Sequence, residues 1–413
     1  MNAALNRSLF AGLACCLLSG CAGIEGPAVV DMVRTIESSE GITSDDYEQL
    51  TDISDLVFRQ IRDLDPQIHP QLTLFTSRNF VQHIRQRTES GFGPDLIITD
   101  SETALDLYDQ KLTDPIQLTE QDRQDTPQSL LDLVTAKDGA LVGRPVNQFV
   151  QLACFNKSRL AKPPGNLQEL AQSSDDATFG MAIQLKDLFW SAEAFNATPA
   201  FQAAMDGSSI DETSRGRVTS WLNWLVGSSY QQNIRFLNTQ GELRQGLIEG
   251  ELDWITCWSS NLKRLRSTMG DNLGIAALPQ GPVQHRKAST RLEVWVLGRN
   301  SSQLQRRKAL VMLKFITKPW AQKTYALMGS SSMPVSQKAA AIVASKIPGG
   351  SEALNNYVQN DEQSTGKVQV KARIFRDQMS YDTISDALLD TIYDVRTPKE
   401  STEQILQDLK QTR

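Results

Sequence analysis

Histidine is scarce: 413 residues contain three, His69, His83 and His285. None lies in an H-E-x-x-H pattern, so the ligand pair of a zincin is missing. No G-x-S-x-G elbow and no G-x-x-x-x-G-K-[ST] loop occurs, which leaves a serine hydrolase of that type and a P-loop nucleotidase without their defining turns. Gly91-Phe-Gly93 lacks the third glycine of a dinucleotide fingerprint and reads as a loop. No excess of basic residues exists: 42 Lys and Arg face 48 Asp and Glu, a net charge of −6. A chain built to neutralise nucleic-acid phosphates needs the opposite balance. Beyond the N-terminus no apolar run reaches the roughly 18 residues of a membrane span, which excludes a multi-pass membrane protein. Acidic pairs such as Asp45-Asp46 and Asp175-Asp176 sit in polar runs and read as solvated. Spacing leaves a glycosidase open, because its two carboxylates need not be near in sequence. No cofactor is expected.

What is present points to an exported α/β protein. Apolar residues make up 40% of the chain, enough for a sizeable core, and the length fits two or three domains at roughly 150 residues each. Residues 1–20 read as a signal peptide: Arg7 supplies the positive end, and Leu9 to Leu18 an apolar stretch too short to cross a bilayer. Leu18-Ser19-Gly20-Cys21 resembles a bacterial lipobox, which implies cleavage before Cys21 and acylation of its thiol. Loss of Arg7 leaves 41 basic against 48 acidic side chains, net −7. Cys154 and Cys257 then remain as thiols. Two in a chain of this size do not form a disulfide scaffold. The reading adopted is two small buried apolar residues on separate strands, with pairing in an oxidising compartment left open.

Residues 21–44 read as a tether of little periodicity. From Tyr47 to Leu64, apolar positions at Leu50, Ile53, Val57, Ile61 and Leu64 step by three and four and predict a helix, with Ser44 or Asp45 as its N-cap. Short strands are predicted over 71–76 and 94–100, the second followed by a helix capped by Ser101. A helix is predicted around 80–86. A long strand over 140–156, broken at Pro145, is followed by strands at 178–185, 252–258, 273–278 and 292–297. Helices are predicted at 218–225, 241–249 and 303–317, with a last one opened by a Ser401–Gln404 capping box. Strands alternating with helices mean α/β with mostly parallel sheets.

Several stretches, in order, are similar to one family. They are Gly93-Pro-Asp-Leu-Ile-Ile-Thr-Asp100, Gly139 to Val146 leading to Cys154-Phe-Asn-Lys157, Pro164 to Leu170, Gly250 to Trp254, Gly274 to Pro279, Lys314 to Lys318, and Gly329 to Val335. Together they resemble the extracellular solute-binding proteins of ABC importers, specifically the carbohydrate-type family that includes maltose-binding protein. The resemblance implies a two-lobed periplasmic-binding-protein fold with two mostly parallel sheets around a ligand cleft. Lobe 1 would comprise 45–145 with 288–335, and lobe 2 146–287 with 336–413. Hinge crossings would fall near 143–147, 282–290 and 334–337. It also implies a monomer, ABC permease subunits as partners, a sugar or polyol as the small-molecule solute, and attachment to the cell-envelope membrane through the lipid on Cys21. Two family features are replaced, by Ser289-Thr290-Arg291 and by Cys257-Trp258, both where this family lines its cleft. A degenerate sensor or interaction protein of the envelope is the alternative.

Ligands of open α/β sheets sit at strand carboxyl ends, and sugars are met by aromatic faces and hydrogen-bonding side chains. The candidate ligand-binding residues are therefore Asp100, Ser101, Asn147, Gln148, Asp187, Trp190, Trp258 and Arg291. Trp190 and Trp258 are expected on loops leaving adjacent strands of one lobe, facing Asp100 and Arg291 of the other. Trp221, Trp224 and Trp295 read as core. Arg144, Lys186 and Arg291 either favour an anionic solute or, the reading adopted, pair with acids such as Asp100 and Asp187.

Overall fold

The computed structural model describes residues 26–36, 44–76, 79–171, 177–282, 289–327, 332–344 and 365–411. The signal segment, Cys21, Asp175-Asp176, His285 and most of the 282–290 crossing lie outside them. Among the described residues no helix is long and apolar enough to cross a membrane, and no cluster of three or more His, Cys, Asp or Glu could hold a metal ion.

The chain opens with strand β1 (Ala28–Ile36), helix α1 (Ser44–Leu64), β2 (Ile68–Thr76), α2 (Phe80–Glu89), β3 (Leu96–Asp100), α3 (Ser101–Asp109) and β4 (Thr113–Asp114). Strand β1 corrects the tether reading: 28–36 is structured and lies between β2 and β3, parallel to both. Its alternation of buried Ala28, Val30 and Met32 with exposed Val29 is the period-2 pattern of a strand. Helix α3 is capped by Asp100, not Ser101: the Asp100 carboxylate accepts from the Thr103 N–H at 2.8 Å.

Strand β5 (Arg144–Asn156) then runs through the whole molecule. Its first half pairs antiparallel with β10 (Thr290–Gly298), which in turn pairs with β3. Its second half pairs antiparallel with β8 (Trp254–Trp258) and β9 (Leu273–Ala276). Pro145 does not break it; the register shifts beside it between Glu293 and Val294, an irregularity of the kind that tolerates a strand proline. Beyond β8 lie β6 (Phe179–Ala182) and β7 (Ile234–Leu237), parallel to one another, with β6 also parallel to β8. The two-residue β11 (Met333–Pro334) pairs with Asn147 and Gln148. The sheet is thus mixed: its two wings are parallel, and its middle is antiparallel.

The remaining helices used below are α4 (Leu185–Ala194), α5 (Glu212–Ser229), α6 (Gln240–Glu249), α7 (Gln303–Ile316), α8 (Pro319–Tyr325), α9 (Thr365–Arg376), α10 (Gln378–Ile392) and α11 (Pro398–Gln411). Helix α11 starts three residues before the predicted box, which is formed instead by Thr397 and Glu400. Ser401 is buried and receives the Thr391 hydroxyl. The core divides along β5. Val146 packs with β1, β3, β10 and α7, whereas Val150 onward packs with β6, β8 and the helices of the second wing.

Cys154 and Cys257 are joined in a disulfide, which corrects the reading of two separate thiols. Adjacent antiparallel strands set Cys154 opposite Ile255 and Cys257 opposite Leu152. That diagonal puts their Cα atoms 5.9 Å apart, inside the range a disulfide spans.

Candidate functional site

The carboxyl ends of the parallel strands of both wings converge on the middle of β5. On the first wing, Arg34 near the end of β1 forms a 2.7 Å ion pair with Glu293 of β10 and donates to the Tyr325 hydroxyl at 2.8 Å. Asn147 of β5 donates to the other Glu293 oxygen at 3.2 Å. Burial alone would lower the Arg34 pKa, but the charges of Glu293 and Tyr325 outweigh it and hold it above its ordinary value. Tyr325 is pushed up to about 12, chiefly by burial, with Glu293 acting the same way against Arg34. A charged pair this deep survives only where its remaining lone pairs and protons are matched.

On the second wing, Asp187 in the first turn of α4 organises a different network. Its Oδ1 accepts from the Trp258 indole N–H at 2.7 Å and from the Gln240 amide at 2.9 Å. Its main-chain oxygen accepts from the Gln151 amide at 2.7 Å. Asn147, Gln151 and Gln240 are fully buried. Each uses its amide N–H as a donor, yet Asn147 Oδ1, Gln151 Oε1 and Gln240 Oε1 are buried without a hydrogen-bond partner among the described residues. Buried acceptors left open in this way carry a desolvation cost of about 1–3 kcal/mol each.

Between the wings, the Arg291 guanidinium lies 5.3 Å from the centre of Phe149 and 5.2 Å from that of Trp258. An arginine beside two rings gains a cation–π attraction. Nearby, burial would raise the Asp100 pKa, but Lys186, the Thr103 N–H and a hydrogen bond from Glu102 hold it below its ordinary value. Its neighbour Glu102 is pushed up to about 7, by burial first and by the Asp100 charge second. Lys186 and Lys371 act against that rise. Lys371 of α9 donates to Ser289 Oγ at 2.6 Å and to the Thr290 carbonyl at 2.9 Å. Helix α9 thereby spans from α3 on the first wing to the helices of the second.

Seven of the eight candidate positions are thus brought to one region. Gln148 is buried there, its backbone paired with Leu292 and Met333. Ser101 is buried beside Asp100 and donates to Glu102 at 3.0 Å. Trp190 is the exception. It lies inside the second core, edge-on to Trp224 at 6.2 Å, and is 1% exposed. Every residue of α4 after Lys186 is buried, so a place after a strand end gives that helix no outward face. Strands β6 and β8 are adjacent as expected, but Trp258 ends a strand and Trp190 lies within a helix. Arg144 also lies elsewhere: it pairs with Asp122 at 3.0 Å and caps the Gln117 carbonyl. Trp221, Trp224 and Trp295 pack in the cores as predicted.

Arg34, Gln151, Gln240, Glu293, Tyr325, Glu102 and Lys371 were not singled out in the sequence. Two carried a readable signal. Glu293 is a lone acid in the apolar strand Leu292–Leu297, and Gln151 a lone amide in Val150–Cys154.

A family model for bacterial extracellular solute-binding proteins matches residues 75–354. No curated relative matches the sequence. Among solved structures, maltose-bound MalE3 of T. maritima superposes with a TM-score of 0.69 at 15% identity, over 93% of this chain and 99% of that one. MalE of Listeria monocytogenes in complex with maltose gives 0.64 at 14%, over 93% and 97%. MalX of Streptococcus pneumoniae with maltopentaose gives 0.66 at 15%, over 92% and 100%. At these identities the likeness establishes the two-lobed fold.

Proposed function

Because this chain belongs to the bacterial extracellular solute-binding proteins, we propose that it is the lipid-anchored binding component of an ABC importer. It captures a sugar or sugar-like solute between its lobes and delivers it to membrane permease subunits. The lobes are those divided along β5, with 45–145 and 288–335, joined by β1, in one and 146–287 and 336–413 in the other. The hinge is where β5, β10 and β11 meet. The observation that carries this reading is the pair of open acceptors on Gln151 and Gln240, whose amides bond Asp187 as the Trp258 indole does, with a further one on Asn147 of the first wing. Hydroxyl donors of a sugar match acceptors of this kind, and an indole face matches its C–H surface. The sugars held by the three structural neighbours, maltose and maltopentaose, belong to the same chemistry. Asp100, Ser101, Gln148, Asp187 and Arg291 supply the remaining polar contacts, and contacts to both lobes favour the closed state.

The test is a thermal-shift panel of maltose, maltopentaose, monosaccharides, polyols, amino acids and sugar phosphates. One carbohydrate class should raise the midpoint, with about 2.7 kcal/mol of stabilisation at 100 times Kd. A shift by amino acids alone would refute the carbohydrate reading. The position of Arg291 over Trp258 and Phe149 favours a second reading, an envelope sensor or interaction protein whose aromatic faces are already covered. That reading requires a flat panel from a folded chain. Anchoring is tested by Cys21→Ala, which should release the protein from the membrane fraction.

A further inference from the structure

Helix α9 belongs to the second lobe by its packing. Val370 and Ile374 lie in that core, and Phe375 meets the Phe189 ring of α4 edge-on at 5.2 Å. Arg373 pairs at 2.6 Å with Asp206, the last residue of the second-lobe helix Thr198–Asp206. Yet the same helix lies against α3 of the first lobe, whose Ala104, Leu105 and Leu107 are part of the first core. Charged groups face one another across that boundary. Arg376, which ends α9, pairs with Asp109, which ends α3. The charge of Lys186 on α4 acts on Asp100 at the start of α3. The charges of Lys186 and Lys371 both act on Glu102 in its first turn. Every acid in this set stands on the first lobe, and every base on the second. Lys371 is also seated on the chain that returns to the first lobe, through Ser289 Oγ and the Thr290 carbonyl.

Asp109 has no stabilising role inside its own helix. The dipole disfavours a negative charge in the last turn, and the base that offsets it, Arg376, is fixed to the other lobe. The two side chains are 41% and 22% exposed, and a pair as open as this adds little to the stability of a folded domain. Between two lobe arrangements of similar energy, however, a small attraction shifts populations. Resting on the solute-capture reading above, we infer that α9 is a clasp between the lobes and that its Arg376–Asp109 pair sets solute affinity without touching the solute. Asp109 lies eight residues along α3 from Ser101, about 12 Å at 1.5 Å per residue, and so well away from the strand end that carries Asp100. Opening the lobes must draw Arg376 from Asp109, because each is held by its own core. A solute that closes the lobes therefore gains this attraction in addition to its own contacts, and apparent affinity falls with the closed population when the pair is broken.

The experiment uses the full-length Cys21→Ala protein in solution, and its first measurements need no solute. Small-angle scattering should give Arg376→Glu a larger radius of gyration than the parent, and its amides over 103–110 should exchange several-fold faster. Asp109→Lys, which alters the other lobe, should do the same. Asp109→Lys with Arg376→Glu restores opposite charges and should restore the parental values. The parent in 1 M salt should move toward the single variants, because exposed charges are screened there. In titrations with maltose and maltopentaose at low salt, each single variant should raise Kd about three- to ten-fold, through faster dissociation, and the double variant should return to the parental value. Single variants with parental radius and exchange, or a double variant as open as either single one, overturn the clasp. A parent that binds neither sugar fails the capture reading for those sugars, while the scattering and exchange results still decide the clasp.

Discussion

The two polar networks that meet on β5 are built on opposite principles. On the first wing, Arg34, Glu293, Asn147 and Tyr325 close on one another around a charged pair, and Asn147 Oδ1 is left open. On the second, Asp187 collects neutral donors from Trp258 and Gln240, and the amides around it keep acceptors open. The first arrangement fixes geometry; the second leaves hydrogen-bonding capacity for something else. A binding cleft needs both, a frame that does not yield and a face that is incomplete alone.

The largest effect should come from the bond that pins the second network to β5. Replacing Cys154 and Cys257 by Ala opens a loop of 103 residues and should cost about 4–5 kcal/mol by loop entropy, read by guanidinium denaturation. Next, Glu293→Ala strands the Arg34 charge in the interior and should cost about 3–5 kcal/mol. A double change to Met at Arg34 and Leu at Glu293 should recover most of that loss, which shows whether the first network is a frame or a contact surface. Asp187→Ala leaves the Trp258 and Gln240 donors without their acceptor and should cost about 1–3 kcal/mol, with loss of sugar binding beyond what the stability change explains.

The smallest effect concerns Glu102, between the two networks. Its folded pKa of about 7 lies above the ordinary 4.5, so the folded state holds a proton that the unfolded state releases. Its contribution is therefore favourable below about pH 4.5 and is lost as pH rises toward 7. Glu102→Gln fixes the neutral form. It should equal the parent near pH 4.5 and exceed it by on the order of 1–2 kcal/mol at pH 8, measured by denaturation at the two pH values.

The alternation of strands and helices was legible because apolar runs bounded by Pro, Gly and Asp, such as Pro94–Asp100, report burial directly. Strand β1 was missed because a Gly- and Pro-bearing lead hides its alternation. Trp190 was misplaced because α4 is buried on every side, and a helix without an exposed face gives position no meaning. The mixed sheet was not legible either. The direction of β10 depends on which strand it inserts between, a long-range choice that no local pattern encodes. Lys371 reached the site through the packing of α9 on α3, and nothing in its own neighbourhood announces that contact.

The insertion of β10 between β3 and β5 also governs when the molecule can fold. Strand β3 ends at Asp100, and the strand that must lie beside it begins at Thr290. At synthesis rates of about 5–20 residues per second, the intervening stretch of roughly 190 residues takes about 10–40 s to emerge. Until then β3 has an unpaired edge, and the first wing cannot complete its sheet. Such a high-contact-order topology folds slowly and keeps the nascent chain threadable. For a member of an extracellular solute-binding family, late closure of the first sheet would preserve a window for export.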